Sequence, residues 1–283
     1  MRLIITGGSS FVGAWTCLRA ARSHSVFALH HSTALRLPGV TPVRTDLRRA
    51  RDVRRLGGLG ADAVLHLAAK VKGTDAPAVN RAMMDAVLSL GLPTLYLSTT
   101  VVHWDHPTPY GVSRREDEAR LAASGLPYAV LRPSAPYGPR LIGHRPSHTE
   151  SFHTLAGFVR RGVVPIIGDG RYRRQPVHVD DLSDAMLALV ARGLCGQTLD
   201  IGGGDALRFV DLVDALAASQ GRRVLKLSLP KRLFVYAAAR SRDFDPTLID
   251  AVDADETVDN GPLMAATGLV PRVFVDGAAD VFR

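Results

Sequence analysis

Tyr110 and Arg114, in Pro109-Tyr110-Gly111-Val112-Ser113-Arg114, stand four residues apart. Positions i and i+4 share a helix face, so a phenol and a guanidinium would lie side by side. That spacing fits a proton-transferring pair and equally the first turn of an amphipathic helix. Upstream, Thr99 and Thr100 end the run "TLYLSTT" and place two hydroxyls at the close of an apolar segment. Near the start, "TGGSSFVG" sets Gly7, Gly8 and Gly13 between an apolar run and a helical pattern. A dinucleotide-binding turn needs glycine where the backbone turns tightly, where it approaches a pyrophosphate and where the helix packs close on the strand. Gly7 and Gly13 fill the first and last of these places. Ser10 occupies the middle one, so the match is incomplete and a purely structural turn stays open.

The elements that must position these residues follow from hydrophobic periodicity. Strands are predicted at Arg2–Thr6, Val26–His30, Val40–Thr45, Ala63–Leu67, Thr94–Ser98 and Tyr128–Leu131. They alternate with helices at Val12–Arg22, Arg48–Leu56, Ala76–Leu90 and Tyr110–Ser124. Uniformly apolar strands separated by helices imply a parallel sheet covered on both faces. Right-handed crossovers make it a doubly wound α/β sheet. After Pro139 the texture changes. "GPRLIGHRPSHTE" reads as loop, Ser151–Arg161 as helix and "VVPIIGDGRYRRQPVHVDD" as a turn-rich strand pair. Asp181–Arg192 and Phe209–Ser219 read as helices, and Gln197–Ile201 and Val224–Leu229 as strands. A helix from Pro230 and a loosely patterned end follow. The expected organisation is a Rossmann-type domain at 1–137, completed by about 176–202. A substrate lobe at 138–175 and 203–283 shares a cleft with it.

With 283 residues, 46% hydrophobic and 22% charged, the chain has the composition of a soluble globular protein. Its start is too short for a signal-peptide core and no run approaches membrane-spanning length, which predicts a cytoplasmic protein with no membrane partner. Cys17 and Cys195 lack metal-ligand spacing, which predicts two free buried thiols and no metal. The formal charge of +8 comes largely from arginines scattered without aromatic interleaving, a solvated surface rather than a nucleic-acid footprint. An anionic cofactor or substrate accounts for part of the excess equally well. The end of the second strand reads "ALHHSTALR". His30 stands where a carboxylate would hold the ribose diol of NAD, with Ser32 and Arg36 close behind. A neutral or basic pocket accepts a 2′-phosphate, which favours NADP and leaves NAD open. Alternatively His30, His31 and Arg36 are simply exposed loop residues.

Taken in chain order, these motifs resemble the extended short-chain dehydrogenase/reductase family, which includes nucleotide-sugar epimerases and dehydratases. The resemblance runs over nearly the whole chain. Thr6 to Gly13 is similar to the family's dinucleotide fingerprint, "DAVLHLAA" at 62–69 to its next cofactor-lining motif, and "LSTT" at 97–100 to the strand carrying its catalytic hydroxyl. "PYGVSR", "LRPSAPYGP", "GDGRYRRQPVHVDD" and "TLDIGGG" follow in family order. The resemblance implies that Gly7, Gly8, Ser10, Phe11, Val12, Gly13, Asp46, Leu47, Leu67, Ala68, Ala69, Asn80 and Pro133 hold the dinucleotide. It implies Tyr110 as general acid/base and Thr99, with Thr100 its nearest competitor, as the hydroxyl on the substrate oxygen. A free phenol titrates near 10. The family lowers that value with a neighbouring cation and the oxidised nicotinamide.

The sequence departs from the family pattern in several places. Arg114 replaces lysine: it keeps a permanent charge, but loses the compact ammonium that fits beneath the nicotinamide ribose and hardly deprotonates. Only "TVVHWDHPTP" separates Thr99 from Tyr110, shorter than in sugar-nucleotide relatives. It brings His103 and Trp104 near the expected substrate position, where Trp104 either stacks on a ring or caps the core. Arg174 matches an arginine that contacts the diphosphate of nucleotide-sugar substrates, whereas Ala135 replaces an asparagine of those members. Lys70 and Lys72 lie near the cleft mouth, facing either an anionic substrate or solvent. The resulting expectation is an NAD(P)-dependent reductase or epimerase for a sugar-like, possibly nucleotide-linked small molecule, acting as a homodimer. Ketoreduction in deoxysugar or secondary-metabolite synthesis is its specific version. A non-catalytic dinucleotide-binding sensor or assembly subunit is the alternative.

Overall fold

The computed structural model describes residues 1–105, 108–141, 143, 144, 146, 150–238 and 253–283. Parts of the "GPRLIGHRPSHTE" loop reading and of the C-terminal lobe (239–252) lie outside them.

Seven parallel strands form the central sheet. Six are β1 (Arg2–Thr6), β2 (Ser25–His30), β3 (Val40–Arg44), β4 (Ala63–His66), β5 (Thr94–Leu97) and β6 (Tyr128–Pro133), and the seventh is Cys195–Ile201. From that last strand the order runs β6, β5, β4, β1, β2, β3. Register is set by the two-residue period of side chains. On β1, Leu3 and Ile5 enter one core cluster, with Leu65, Leu95, Leu131 and Ile201, while Ile4 enters the cluster on the opposite face with Val64. Burying each such side chain stabilises by about 1.5–3 kcal/mol. The first face is covered by α1 (Phe11–Ala20) and by the helix Val179–Ala191, the other by α2 (Ala50–Gly57), α3 (Ala76–Leu88) and α4 (Pro109–Ala122).

Strand order reverses between β1 and β4, opening a crevice at their C-terminal ends. Both helices that matter there begin on side-chain caps. Ser10 Oγ accepts from Gly13 N at 3.0 Å at the start of α1. Thr108 Oγ1 accepts from Gly111 N at 3.0 Å at the start of α4, where Pro109 takes the first helical position.

The expected central elements are present, with boundaries shifted by one to two residues at most ends. Three expectations are corrected. The segment 163–181 is not a strand pair with itself. Val163–Ile167 pairs with Leu225–Leu229, Arg173–Arg174 with Leu207–Arg208, and Val177–His178 with Pro136–Tyr137. Its glycine-rich turns send each strand to a different neighbour, which no local pattern encodes. Cys17 is buried, and burial pushes its thiol up to about 12, but Cys195 is exposed because it begins the edge strand of the sheet. The loosely patterned end contains two short helices, Gly261–Thr267 and Phe274–Gly277. Phe274 belongs to a second core with Tyr137, Phe152, Val159, Ile166, Leu212 and Leu216. Among the described residues, no helix is long and apolar enough to cross a membrane and no side-chain group could hold a metal.

Candidate active site

The glycine-rich turn leaves β1 at the switch point with Gly7 at φ +68°. A Cβ at Gly7 would lie 2.8 Å from Ala68 N, and one at Gly13 only 2.1 Å from Gly7 O. These are the close approaches that a pyrophosphate cradle at the N-terminus of α1 needs, so the turn fits a dinucleotide. A Cβ at Gly8 would lie 3.0 Å from the Ala28 methyl, and Phe11 and Val12 are buried in the first turn. The Ser10 hydroxyl is committed to the helix cap.

At the end of β2, His30 is half-buried and Ser32 and Arg36 are exposed; burial first, then Arg44, lowers the imidazole's proton affinity. Arg44 pairs in register with His30. Asp46 accepts from Arg48 Nε and Nη2 at 2.8 and 2.9 Å, with Arg49 and His31 at 3.5 and 3.6 Å. The Arg48 bonds hold its carboxyl down at about 2. Leu47 is buried beside it.

Thr6, which sequence reasoning passed over, joins the glycine turn to β4. Its Oγ1 accepts from Leu67 N and Ala68 N, both at 3.0 Å, which leaves its own proton for His66 Nδ1 at 2.8 Å. His66 is therefore the neutral Nε2-protonated tautomer. Burial, then the charge on Arg114, pushes its pKa down to about 3. The unfolded chain binds a proton at this histidine below about 6.5 and the native one does not. Stability therefore falls by roughly 1.4 kcal/mol per pH unit from about 6.5 down toward 3. Urea unfolding at about pH 7 and about pH 5 checks this. The acid-side loss should shrink in His66→Asn, and an unchanged loss would exclude His66 as its source.

Ala69 is exposed. Asn80 commits its amide to the backbone of Lys70, accepting from N at 2.8 Å and donating to O at 3.1 Å, and donates to Ser113 Oγ at 3.3 Å. Asn80 thereby holds the Lys70 loop. The Lys70 ammonium pairs with Asp75 at 2.6 Å.

Thr99 caps a single 3-10 turn, Thr100–His103, accepting from Val101 N at 3.3 Å. That turn packs on the start of α4: a Cβ at Gly111 would lie 3.2 Å from Val101 O, so Tyr110 and the Thr99 turn are neighbours. Thr100, the expected competitor, is buried with its hydroxyl bonded to Glu256 Oε1 at 2.6 Å and Pro133 O at 3.3 Å. His103 Nε2 bonds Asp200 on the edge strand at 2.9 Å, and Trp104 is half-buried. Ala135 packs against the second core. Arg174 donates to the Arg173 and Ala254 carbonyls and stacks 4.6 Å from the Tyr172 ring centroid.

Tyr110 and Arg114 do meet. The guanidinium carbon lies 4.9 Å from the Tyr110 centroid and 5.3 Å from that of Tyr96, and Nη1 donates to the Tyr96 hydroxyl at 2.5 Å. Tyr96 donates onward to Asp117 Oδ2 at 3.0 Å. Burial alone would lower the Arg114 pKa, but the two phenols and Asp117 raise it overall, so the group stays charged. Neither Tyr96 nor Asp117 stood out in the sequence. Each reads as an ordinary core or helix-face residue until the sheet and α4 are stacked.

A doubly wound sheet with a glycine-rich turn at its switch point, facing a tyrosine–cation pair beside a threonine-capped turn, defines the extended short-chain dehydrogenase/reductase type. The chain belongs to the NAD dependent epimerase/dehydratase family, whose pattern it matches over residues 3–92 and 96–202, and is an enzyme of that type. It is similar to the dTDP-glucose 4,6-dehydratase of Mycolicibacterium smegmatis, 27% identical over 242 residues covering 71% of this chain and 72% of that protein. The dTDP-L-rhamnose 4-epimerase of Burkholderia thailandensis is 32% identical over 122 residues, covering 40% of this chain and 32% of that protein. The UDP-glucose 4-epimerase of Thermotoga maritima shares the fold at a TM-score of 0.79 and 21% identity, covering 100% of this chain and 98% of that one.

Proposed function

We propose that the chain is an NAD(P)-dependent oxidoreductase acting on a keto or hydroxyl carbon of a nucleotide-linked sugar, with NADPH-dependent ketoreduction as its specific reaction. The observation that carries this reading is the Tyr110–Arg114 stack set against the Thr99 turn, across the switch point from the Gly7–Gly13 cradle. Hydride exchange is the chemistry a bound nicotinamide supplies. Tyr110 moves the proton to or from the substrate oxygen, Thr99 donates a hydrogen bond to that oxygen, and Arg114 supplies permanent charge beside the phenol. The dTDP- and UDP-linked names of the relatives support a nucleotide-linked substrate here. In this reading the lobe of 138–175 and 203–283 shares a cleft with the dinucleotide unit, with Arg174, Lys70 and Trp104 toward the substrate.

Loss of water from the sugar would need a second base and acid besides Tyr110. Among the described residues, the titratable groups at the Thr100–His103 turn are His103, held by Asp200, and Glu256, bonded to Thr100. For the cofactor, the end of β2 carries His30, Ser32 and Arg36 with Arg44 alongside and no carboxylate of its own, the nearby Asp46 being held by Arg48, which supports NADP over NAD. One lost charge-assisted phosphate contact corresponds to about tenfold or more in affinity. Titration should therefore show NADPH binding at least about tenfold tighter than NADH, with Arg36→Ala and Arg44→Ala narrowing the gap. Equal affinities would overturn the NADP assignment.

A homodimer through α3 and α4 remains part of the proposal. Arg81–Glu116 and Arg120–Asp85 tie these helices together, leaving Pro77, Ala78 and Ala82 along a shallow outer groove. A monomer in light scattering at working concentration would rule the dimer out.

A further inference from the structure

We propose that Tyr96 is a positioning residue: its hydroxyl holds Arg114 against the Tyr110 ring and out of the cofactor cleft, so Arg114 serves Tyr110 alone. The inference deepens the reading above and rests on its placing Tyr110 and Arg114 in the site.

Arg114 is 1% exposed, the largest fully buried side chain among the described residues. Nearly all of the guanidinium is therefore covered by protein. What encloses it is specific. Two phenol rings lie within 5.3 Å of its central carbon, and the Tyr96 hydroxyl accepts from Nη1 at 2.5 Å. Tyr96 can accept that bond because its own proton goes to Asp117, and its ring is braced by His66, stacked at 5.6 Å and 23°. His66 is in turn fixed by Thr6, at the foot of the glycine turn. The arrangement carries a cost, since Arg114 Nε is buried without a partner. An unpaired buried donor is costly, and the ring contacts and the Tyr96 bond must offset it.

The family's lysine has two duties, a charge near the tyrosine and a grip on the nicotinamide ribose. In this chain only the first is available to residue 114.

The test uses the full chain labelled with ¹³C,¹⁵N-arginine. A buried, hydrogen-bonded guanidinium gives a slowly exchanging Nη–H signal, assigned to Arg114 by its loss in Arg114→Lys. The signal should stay in place when NADPH saturates the wild-type protein and disappear in Tyr96→Phe. A signal that moves with NADPH, or survives in Tyr96→Phe, overturns the proposal. The NADPH arm does not use Tyr96→Phe, so a misfolded Tyr96→Phe leaves it decisive. Kinetics give the second readout. Tyr96→Phe should lower kcat about tenfold with cofactor KM within about twofold, and add less than about twofold in an Arg114→Met background. A full independent loss in that background overturns the proposal. If no substrate is turned over, the functional reading fails while the spectroscopic arms still decide where Arg114 is held.

Discussion

Tyr110→Phe should lower kcat by about a thousandfold, within the 10²–10⁴ range for a positioned acid/base, while cofactor affinity stays within about threefold. The substitution removes one oxygen and keeps the ring over Arg114, so the cation-to-ring contact at 4.9 Å and the packing of α4 are retained. Thr108 still caps α4 and Gly111 still meets Val101, so the Thr99 turn keeps its place. What is lost is the group that exchanges a proton with the substrate oxygen as hydride moves. No other titratable side chain of the turn is free to substitute, because His103 is bonded to Asp200. A parallel loss of cofactor affinity would mean that Tyr110 binds rather than transfers. An unchanged kcat would remove it from the chemistry.

Gly13→Ala should weaken dinucleotide binding by on the order of a hundredfold, equivalent to an overpacking cost of about 3 kcal/mol. The new methyl would stand 2.1 Å from Gly7 O, 2.8 Å from Gly7 C and 2.9 Å from Ser10 Oγ. Two of those atoms are backbone, so the turn itself must open. Opening it strains the Ser10 N to Gly7 O bond at 2.8 Å and the Ser10 cap on Gly13, a cap being worth about 1 kcal/mol. The melting temperature should fall together with the affinity. Gly57→Ala at the end of α2 is the control, since a Cβ there meets nothing within 4 Å and helix propensity favours alanine. If Gly13→Ala binds the cofactor as wild type does, the turn is not the cradle.

The sheet was legible in the sequence because parallel strands are buried on both faces and read as unbroken apolar runs, such as Ala63–His66. The glycine turn was legible because Gly7 and Gly13 meet steric demands that no other residue satisfies. Pairing in the second lobe was not. Val163–Ile167 finds its partner about sixty residues downstream; Val224–Leu229 reads as a strand, but nothing local says which strand it joins. In the site, the bonds of Asn80 to the Lys70 backbone and of Thr100 to Glu256 and Pro133 were not legible, because each partner comes from a separate element. The chain from Thr6 through His66 and Tyr96 to Arg114 was invisible, because its members come from three strands and one helix and share no spacing.

The central claim, that this chain moves hydride between a dissociable nicotinamide and a sugar carbon under Tyr110, is tested most directly by isotope transfer. NADPH deuterated at the transferring position would be incubated with nucleoside-diphosphate-linked keto sugars, and the products read by mass spectrometry. One deuterium per product at the former carbonyl carbon, absent with Tyr110→Phe, is the result predicted. Oxidation of no cofactor and label in no sugar, from a chain that binds NADPH well, would contradict it.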